Sequence, residues 1–484
     1  MSLAPMKTIL VCGVWAAVML RPAAADPVAL DATNPHYFRF QGKTVALITS
    51  GEHYGAVLNG EFNFRRYLEA LAANKLNYTR LFGGSYIEVP GQSFGILRND
   101  LAPAAGRFIA PWESRNGKLD LARWNAAYFA RLHDFLGEAA RRGIVVELTL
   151  FSSHYGEAQW KLSPFNPANN VSGTEAIDWK KLHTLENGNI LEYQEQYTRK
   201  LVREANSFDN VVFEIQNEPW SDRPEFVDVV NPYLPGAARN KYPNSVEVAD
   251  ALSLAWQARV AEWITSEEAR LPRKHLIAQN YCNFRFAVRR LVPGVSVVNF
   301  HYAYPEAVRL NYGLGKALSY DETGFLGSDD DAYRKQAWNF MLSGGSVFDN
   351  LDYSFSPGHE DGSDPGPNGP GGGSARLRGE LRVLREFLDG FALADLHPDA
   401  NAVKHAAGAS ARVLSHAGHE YAIYLDGNSP AQIQWNLPSG VYSAEWVDTT
   451  SGAVLKTEQL TGHDLLSAPE FMNGIALRLR RLGR

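Results

Sequence analysis

Eight short apolar runs, each followed by an amphipathic or polar stretch, recur through the first four-fifths of the chain, and they constrain the fold most. The runs are Val45 to Thr49, Asn77 to Phe82, Ile144 to Phe151, Val211 to Gln216, His275 to Asn280, Ser296 to His301, Ala317 to Asp321 and Ser346 to Leu351. Buried parallel strands read this way, apolar throughout with polar residues at their ends. Helical periodicity fills the gaps: Phe64 to Asn74, Ala122 to Arg142, Leu191 to Ser207, Val246 to Arg270, Ala332 to Ser343 and Ala375 to Phe391. Eight βα units over about 350 residues predict a (β/α)8 TIM barrel, an α/β fold. The rival, a doubly wound open sheet, carries a glycine-rich phosphate loop after its first strand, and this sequence has none.

The pattern changes after Asp395. Ala411 to Ser415, Glu420 to Leu425, Ala431 to Trp435, Gly440 to Asp448, Ala453 to Glu458 and Ile475 to Leu479 are short alternating runs. Turns such as Asp426-Gly427-Asn428 and Ser451-Gly452 separate them, which predicts a small antiparallel β-sandwich. The N-terminus reads as an export signal. Lys7 gives a positive start, Thr8 to Leu20 an apolar run, and Ala23-Ala24-Ala25 a small-residue cleavage site before Asp26. The run is short for a membrane span; an anchor is the alternative reading. The expected organisation is a signal over 1–25, a barrel over 26–394 and a sandwich over 395–484. The mature chain is then secreted or periplasmic, with no membrane attachment and no intrachain disulfide, since only Cys282 remains. A net charge of −6 argues against a nucleic-acid partner. The chain's 11 Trp and 21 Tyr suit a cleft that stacks on sugar rings, although buried core positions account for most aromatics.

Chemistry concentrates at strand ends, where barrel active sites are built. The segment Val211-Val212-Phe213-Glu214-Ile215-Gln216-Asn217-Glu218-Pro219-Trp220 runs an apolar strand straight into Asn-Glu-Pro. Strict alternation puts Glu214, Gln216 and Glu218 on one face and Asn217 on the other. Pro219 stops the ladder, leaving Glu218 at the rim and Glu214 one layer deeper. Ala317-Leu318-Ser319-Tyr320-Asp321-Glu322-Thr323-Gly324 is the second apolar-to-acidic run, with Glu322 104 residues after Glu218, or three βα repeats. Asp321 competes with Glu322, and alternation points the two to opposite faces.

Asn217-Glu218-Pro219 at the end of the fourth strand resembles the signature of glycoside hydrolase clan A, the cellulase-like superfamily. The resemblance covers the barrel, about Pro35 to Ala394, and implies a retaining glycoside hydrolase of β-linked glycans. It casts Glu218 as acid/base, Asn217 as a ligand of the sugar 2-hydroxyl and Glu322 as nucleophile. Arg80, ending the second strand, matches an Arg that contacts the nucleophile and keeps it ionised. His301-Tyr302-Ala303-Tyr304 ends the sixth strand where related enzymes carry His-x-Tyr, with the Tyr bonded to the nucleophile. Ala303 stands where that Tyr would be, so Tyr302 and Tyr304 compete for the role, and His301 is a candidate for orienting sugar or carboxylate. Two acids suit the reaction, one protonating the leaving oxygen and the other attacking the anomeric carbon.

Further candidates for sugar contact are Glu52, His53, Tyr54, His154, Tyr155, Tyr281, Asp352 and Tyr353, with Trp220 as the foremost stacking platform. The long insertions Ser152 to Ile190 and Pro357 to Ser374 would shape the rim. The segment Glu445-Trp446-Val447-Asp448-Thr449-Thr450-Ser451-Gly452 resembles the small β-sandwich that trails bacterial barrel glycosidases and is named a collagen-binding domain. No zinc helix, serine elbow or phosphate loop occurs, and the acidic loops at 328–331 and 360–364 lack EF-hand spacing. No metal or cofactor is expected. The substrate expected is a β-linked poly- or oligosaccharide, a β-glucan as first guess. The alternatives are a non-catalytic carbohydrate-binding barrel and a transglycosylase.

Overall fold

The computed structural model describes residues 26–483 except 52–53, 92, 229–244, 367–368, 370 and 462–464. The expected export signal lies outside the described residues. Eight parallel strands form the barrel: β1 Leu47–Gly51, β2 Tyr78–Phe82, β3 Val145–Ser152, β4 Val211–Asn217, β5 Leu276–Asn283, β6 Val297–His301, β7 Ala317–Thr323 and β8 Val347–Leu351. Their order is β1-β8-β7-β6-β5-β4-β3-β2. Asn77 closes the seam between β1 and β2. Its side chain accepts from Ile48 N (2.8 Å) and donates to Ala46 O (2.9 Å), standing in for a ladder.

The helices around the barrel are α1 Phe64–Ala73, α2 Ala126–Arg141, α3 Ile190–Ala205, α4 Ala251–Glu268, α5 Pro305–Asn311, α6 Asp330–Met341 and α7 Ala375–Asp389. Five begin at side-chain caps, Asn63, Asn125, Asp250, Asp329 and Ser374, each accepting a first-turn N–H. Such a cap contributes about 1 kcal/mol.

One residue near the start of each strand builds an apolar floor: Leu47, Tyr78, Val145, Val212, Ala278, Val297, Ala317 and Val347. Phe38 and Phe40 pack against it from a three-stranded sheet of Ala29–Leu30, Phe38–Phe40 and Lys43–Val45, as does Val28 just before the first of these strands. Val45 therefore belongs to this cover, and β1 begins later than its apolar run suggested. The expected helical start at Ala122 is instead the end of a hairpin, Trp112–Arg115 with Lys118–Trp124. Residues 246–249, expected to be helical, form a strand, Ser245–Ala249, paired with Pro224–Asp228. Val246-Glu247-Val248 has period-two, β-branched character, and Asp250 caps the helix only afterwards. A helix not foreseen, α5, lies between β6 and β7.

The C-terminal part is a seven-stranded antiparallel sheet running from His397 to Leu482. Two long strands, Val403–His416 and Glu420–Trp435, make its frame. The expected turn at Asp426-Gly427-Asn428 is the interior of the second strand. Gly427 adjoins a bulge of its own strand, where residues 428–431 lie opposite Gly408 alone, and a Cβ on Gly427 would meet Gly408 O at 2.5 Å, so close strand approach requires the glycine. Both halves of that strand feed one core, through Ile423 and Leu425 and through Ile433 and Trp435. The sheet leans on α6 and α7. Trp338 stacks on Tyr424 (5.5 Å), and the Arg478 guanidinium lies 4.9 Å from the Phe387 ring centre.

Candidate active site

Above the floor the barrel interior turns polar. Arg80, fully buried in the middle of β2, is its centre. Arg80 Nη2 donates to Glu214 Oε2 (2.9 Å) and Asn217 Oδ1 (2.9 Å), and Nη1 donates to Glu322 Oε2 (3.3 Å). Glu214 thus lies one layer below the rim, as alternation predicted. Glu218 also reaches the mouth, but Gln216 and Asn217 depart from the prediction. Gln216 turns outward to His183 (3.2 Å), which packs on Trp256 of α4, while Asn217 turns inward to Arg80. Asp321 and Glu322, predicted on opposite faces, both face inward, with Asp321 Oδ2 3.5 Å from Arg80 Nε. A bulge in β7 accounts for Asp321 and Glu322. The ladders slip between Asn280 and Cys282, between Asn299 and His301, and between Tyr320 and Thr323. The extra residues lie in β5 and β7, and such an insertion re-aims the side chains beyond it.

Left-handed backbone finishes the rim. Tyr155 (φ 61°), Glu218 (φ 45°) and Tyr302 (φ 49°) end β3, β4 and β6 in a conformation that costs a non-glycine residue about 1–3 kcal/mol. Hydrogen bonds hold them there. Glu218 N donates to Asn280 Oδ1 (3.0 Å), Ser153 Oγ donates to Glu218 O (2.7 Å), and Tyr302 N donates to Glu322 O (2.9 Å).

These turns bring Glu218 and Glu322 together. One oxygen of each lies with a ring nitrogen of His301 in a group spanning no more than 4.8 Å. His301 Nδ1 sits 2.9 Å from Glu218 Oε1 and 3.4 Å from Glu322 Oε1. Tyr155 Oη donates to Glu218 Oε2 (2.8 Å) and accepts from Asn217 Nδ2 (2.8 Å). Glu322 takes two tyrosine hydroxyls, Tyr302 on Oε1 (2.8 Å) and Tyr54 on Oε2 (2.6 Å). Tyr302 rather than Tyr304 therefore reaches Glu322; Tyr304 stacks on Phe284 instead.

Burial alone would push Glu322 upward, but His301, Arg80 and Tyr302 outweigh it and hold its carboxyl at about 2. Burial also opposes charge on His301, yet Glu322 and Asp321 raise its pKa well above the ordinary 6.5. Deeper in the barrel the balance reverses. Burial, reinforced by neighbouring carboxylates, drives Glu147 and Asp349 far upward.

The pocket over Glu218 and Glu322 encloses about 740 Å³ including its mouth. Loops after β1, β2, β3, β7 and β8 line it. Phe94 and Phe325, both with exposed rings, and Tyr353 provide aromatic surface. Glu88 also lines it, pushed up to about 7 by burial. Arg98 and Asp364 join the loops after β2 and β8 through a double contact of 2.6 Å and 2.5 Å.

Several predicted contacts require correction. Trp220 is 1% exposed and sits edge-on to His301 (5.5 Å), so its ring presents no face to the pocket. His154 is buried away from the pocket, and burial pushes its pKa down to about 3. Tyr281 stacks on Phe286 outside the pocket. Glu52 and His53 lie outside the described residues. Asp352 and Tyr353 do line the pocket, though Asp352 is tied to Arg378 (2.7 Å). Phe94, Phe325 and Glu88 went unnoticed because their loops have no strand-end signature; φ above zero at Phe94 and Phe325 cannot be read from a side-chain pattern.

Residues with metal-ligand spacing form three groups among the described residues: Glu218-His301-Glu322, Glu147-Glu214-Asp321 and His154-His183-Asp222. The first shares its oxygens with Tyr54, Tyr155, Tyr302 and Arg80, and the second packs on the Arg80 guanidinium.

No family model and no curated protein matches the sequence. Solved structures do resemble it. One described as a glycoside hydrolase aligns over 94% of this chain and 97% of its own, with TM-score 0.61 and 11% identity. A glycoside hydrolase family 5 protein from Bacteroides vulgatus ATCC 8482 aligns over 94% and 93%, with TM-score 0.60 and 11% identity. The chain thus has the fold of these glycoside hydrolases, an eight-stranded parallel α/β barrel followed by an antiparallel sheet.

Proposed function

We propose that the chain is a retaining β-glycoside hydrolase in which Glu218 is the acid/base and Glu322 the nucleophile. The observation that carries the reading is the proximity of the two carboxyl groups at the C-terminal mouth of the barrel, with oxygens inside a 4.8 Å group. Retaining enzymes hold their carboxyls about 5–5.5 Å apart, whereas inverting ones need about 6.5–9.5 Å for a water.

The two roles follow from the surroundings. Glu322, held ionised by His301, Arg80 and Tyr302, attacks the anomeric carbon while Glu218 gives its proton to the departing oxygen. A glycosyl ester on Glu322 results. Glu218 then takes a proton from water, the water oxygen bonds to the anomeric carbon, and Glu322 leaves as carboxylate. Asn217, fixed by Arg80 and Tyr155, lines the same pocket as Glu322, where it would meet a sugar hydroxyl. The substrate proposed is a β-linked poly- or oligosaccharide, a β-glucan first, acted on outside the cytoplasm.

A panel of defined β-glucans, mannans, galactans and xylans tests the activity, with the anomeric configuration of the first product followed by NMR. The reading expects a β-product at early times. An α-product first, or no turnover of any β-glycoside, overturns it.

A further inference from the structure

Behind Glu218 lies a second cluster that takes no part in the proposed hydrolysis. His154 follows β3, His183 comes from the insertion at 152–190, and Asp222 ends the 3-10 turn Pro219–Ser221 after β4. All three are buried, offer ligand atoms within 4.8 Å of one another, and none lines the pocket.

The hydrogen bonding around this cluster is incomplete. His154 is 1% exposed, yet neither ring nitrogen has a partner among the described residues. Buried polar groups are nearly always paired, so a doubly unpaired imidazole demands an explanation. His183 Nδ1 meets two incompatible neighbours, Asp222 Oδ2 at 3.4 Å, which can only accept when ionised, and Gln216 Nε2 at 3.2 Å, which can only donate. Either tautomer satisfies one of them and opposes the other. Turning the Gln216 amide over removes that conflict and brings its carbonyl oxygen, itself buried and unpartnered, toward His183, but leaves His154 as it was.

We propose that His154, His183 and Asp222 bind a divalent metal ion of the zinc class. Two imidazoles and a carboxylate suit such an ion, and hard cations prefer all-oxygen sets. Ligands of a tetrahedral zinc lie roughly 3.3–3.6 Å apart, a spacing His183 Nδ1 and Asp222 Oδ2 already show at 3.4 Å. Gln216 Oε1 or water completes the coordination. The ion ties three loops together directly behind the acid/base. His154 precedes Tyr155, whose left-handed backbone aims its hydroxyl at Glu218, and Asp222 Oδ1 already receives the N–H of His154 (2.9 Å) and of Tyr155 (3.1 Å). The site is structural, steadying Tyr155 without touching substrate.

The full chain, stripped with a chelator and dialysed, is titrated with zinc by calorimetry and with cobalt by visible absorption. Wild type should bind one zinc per chain, melt a few degrees higher with it, and develop the cobalt ligand-field band of a nitrogen-containing site, while calcium and magnesium give none of these. His154→Gln and His183→Gln should each weaken zinc by about 100-fold or more, since even residues outside a ligand set cost 10–100-fold. Glu322→Gln should leave zinc affinity unchanged. Circular dichroism of each variant separates lost binding from lost folding, and the wild-type cobalt spectrum depends on no variant. Absence of stoichiometric binding in folded wild type overturns the proposal. So does zinc that survives His154→Gln and is lost in Glu322→Gln, which places the ion in the pocket.

Discussion

The same eight strands behave as two materials at their two ends. At the N-terminal end each strand gives one apolar side chain to a floor that Phe38 and Phe40 cover. At the C-terminal end they carry Arg80, Glu214, Asn217, His301, Asp321 and Glu322 in a single bonded network. The floor follows the regular pleat and fills space. The mouth breaks the pleat with bulges and left-handed residues, and concentrates charge where hydrocarbon would be more stable. Stability and chemistry are thus separated by a few residues along each strand, as expected where barrel loops vary and barrel floors do not.

Four substitutions probe this division. Glu322→Gln should cut kcat on every substrate by on the order of 10⁴-fold or more, with the melting midpoint within a few degrees of wild type. A large unfolding of this variant would mean that the mouth also carries the fold. Glu218→Ala should lose about 10²–10⁴-fold on glycosides with poor leaving groups, but far less on activated aryl glycosides, which need little protonation. Equal loss on both would remove Glu218 from the acid role. At the other end, Phe38→Ala should cost about 3–5 kcal/mol in denaturant unfolding while the folded fraction keeps its kcat. A lower kcat per folded molecule would show that floor and mouth are coupled. Tyr54→Phe should reduce kcat by roughly tenfold or somewhat more, the worth of one hydrogen bond to a charged group, with KM changing less.

The smallest expected effect concerns pH. Folding lowers the Glu322 pKa from 4.5 to about 2. A lowered carboxyl stabilises the folded state above its unfolded pKa, and that contribution disappears as pH falls through the folded value. Between about pH 4.5 and 2 the melting temperature of wild type should therefore fall more steeply than that of Glu322→Gln. Parallel slopes would mean that the carboxylate is not favoured by its surroundings.

Which parts of this molecule its sequence reveals follows the same division. The barrel strands were legible because burial on both faces demands uninterrupted apolar runs, and Glu214 could be placed because the pleat is regular up to that point. Beyond it period-two reasoning misplaced Gln216, Asn217 and Asp321; at Asp321 the cause is a bulge in β7, an inserted residue that nothing in the side-chain pattern announces. Trp220 looked like a stacking surface because it neighbours Glu218. The left-handed turn at Glu218 and the short 3-10 turn after it carry the ring inward against His301. The last three residues of the strand Lys118–Trp124 and most of the strand Ser245–Ala249 were hidden inside helical runs whose caps, Asn125 and Asp250, mark the true beginnings. Phe94, Phe325 and Glu88 sit on loops that fold over the pocket from distant positions, and only three-dimensional closure identifies them.

The central claim is that a covalent bond forms between the sugar and the carboxylate at position 322. Incubation with an activated 2-deoxy-2-fluoro-β-glycoside, which slows the second step more than the first, followed by digestion and mass spectrometry of the peptides, measures this directly. The account predicts one sugar per chain, carried by Glu322 and released on addition of an acceptor. A label on Asp321 or Glu218, or turnover with no adduct and an inverted product, would contradict it.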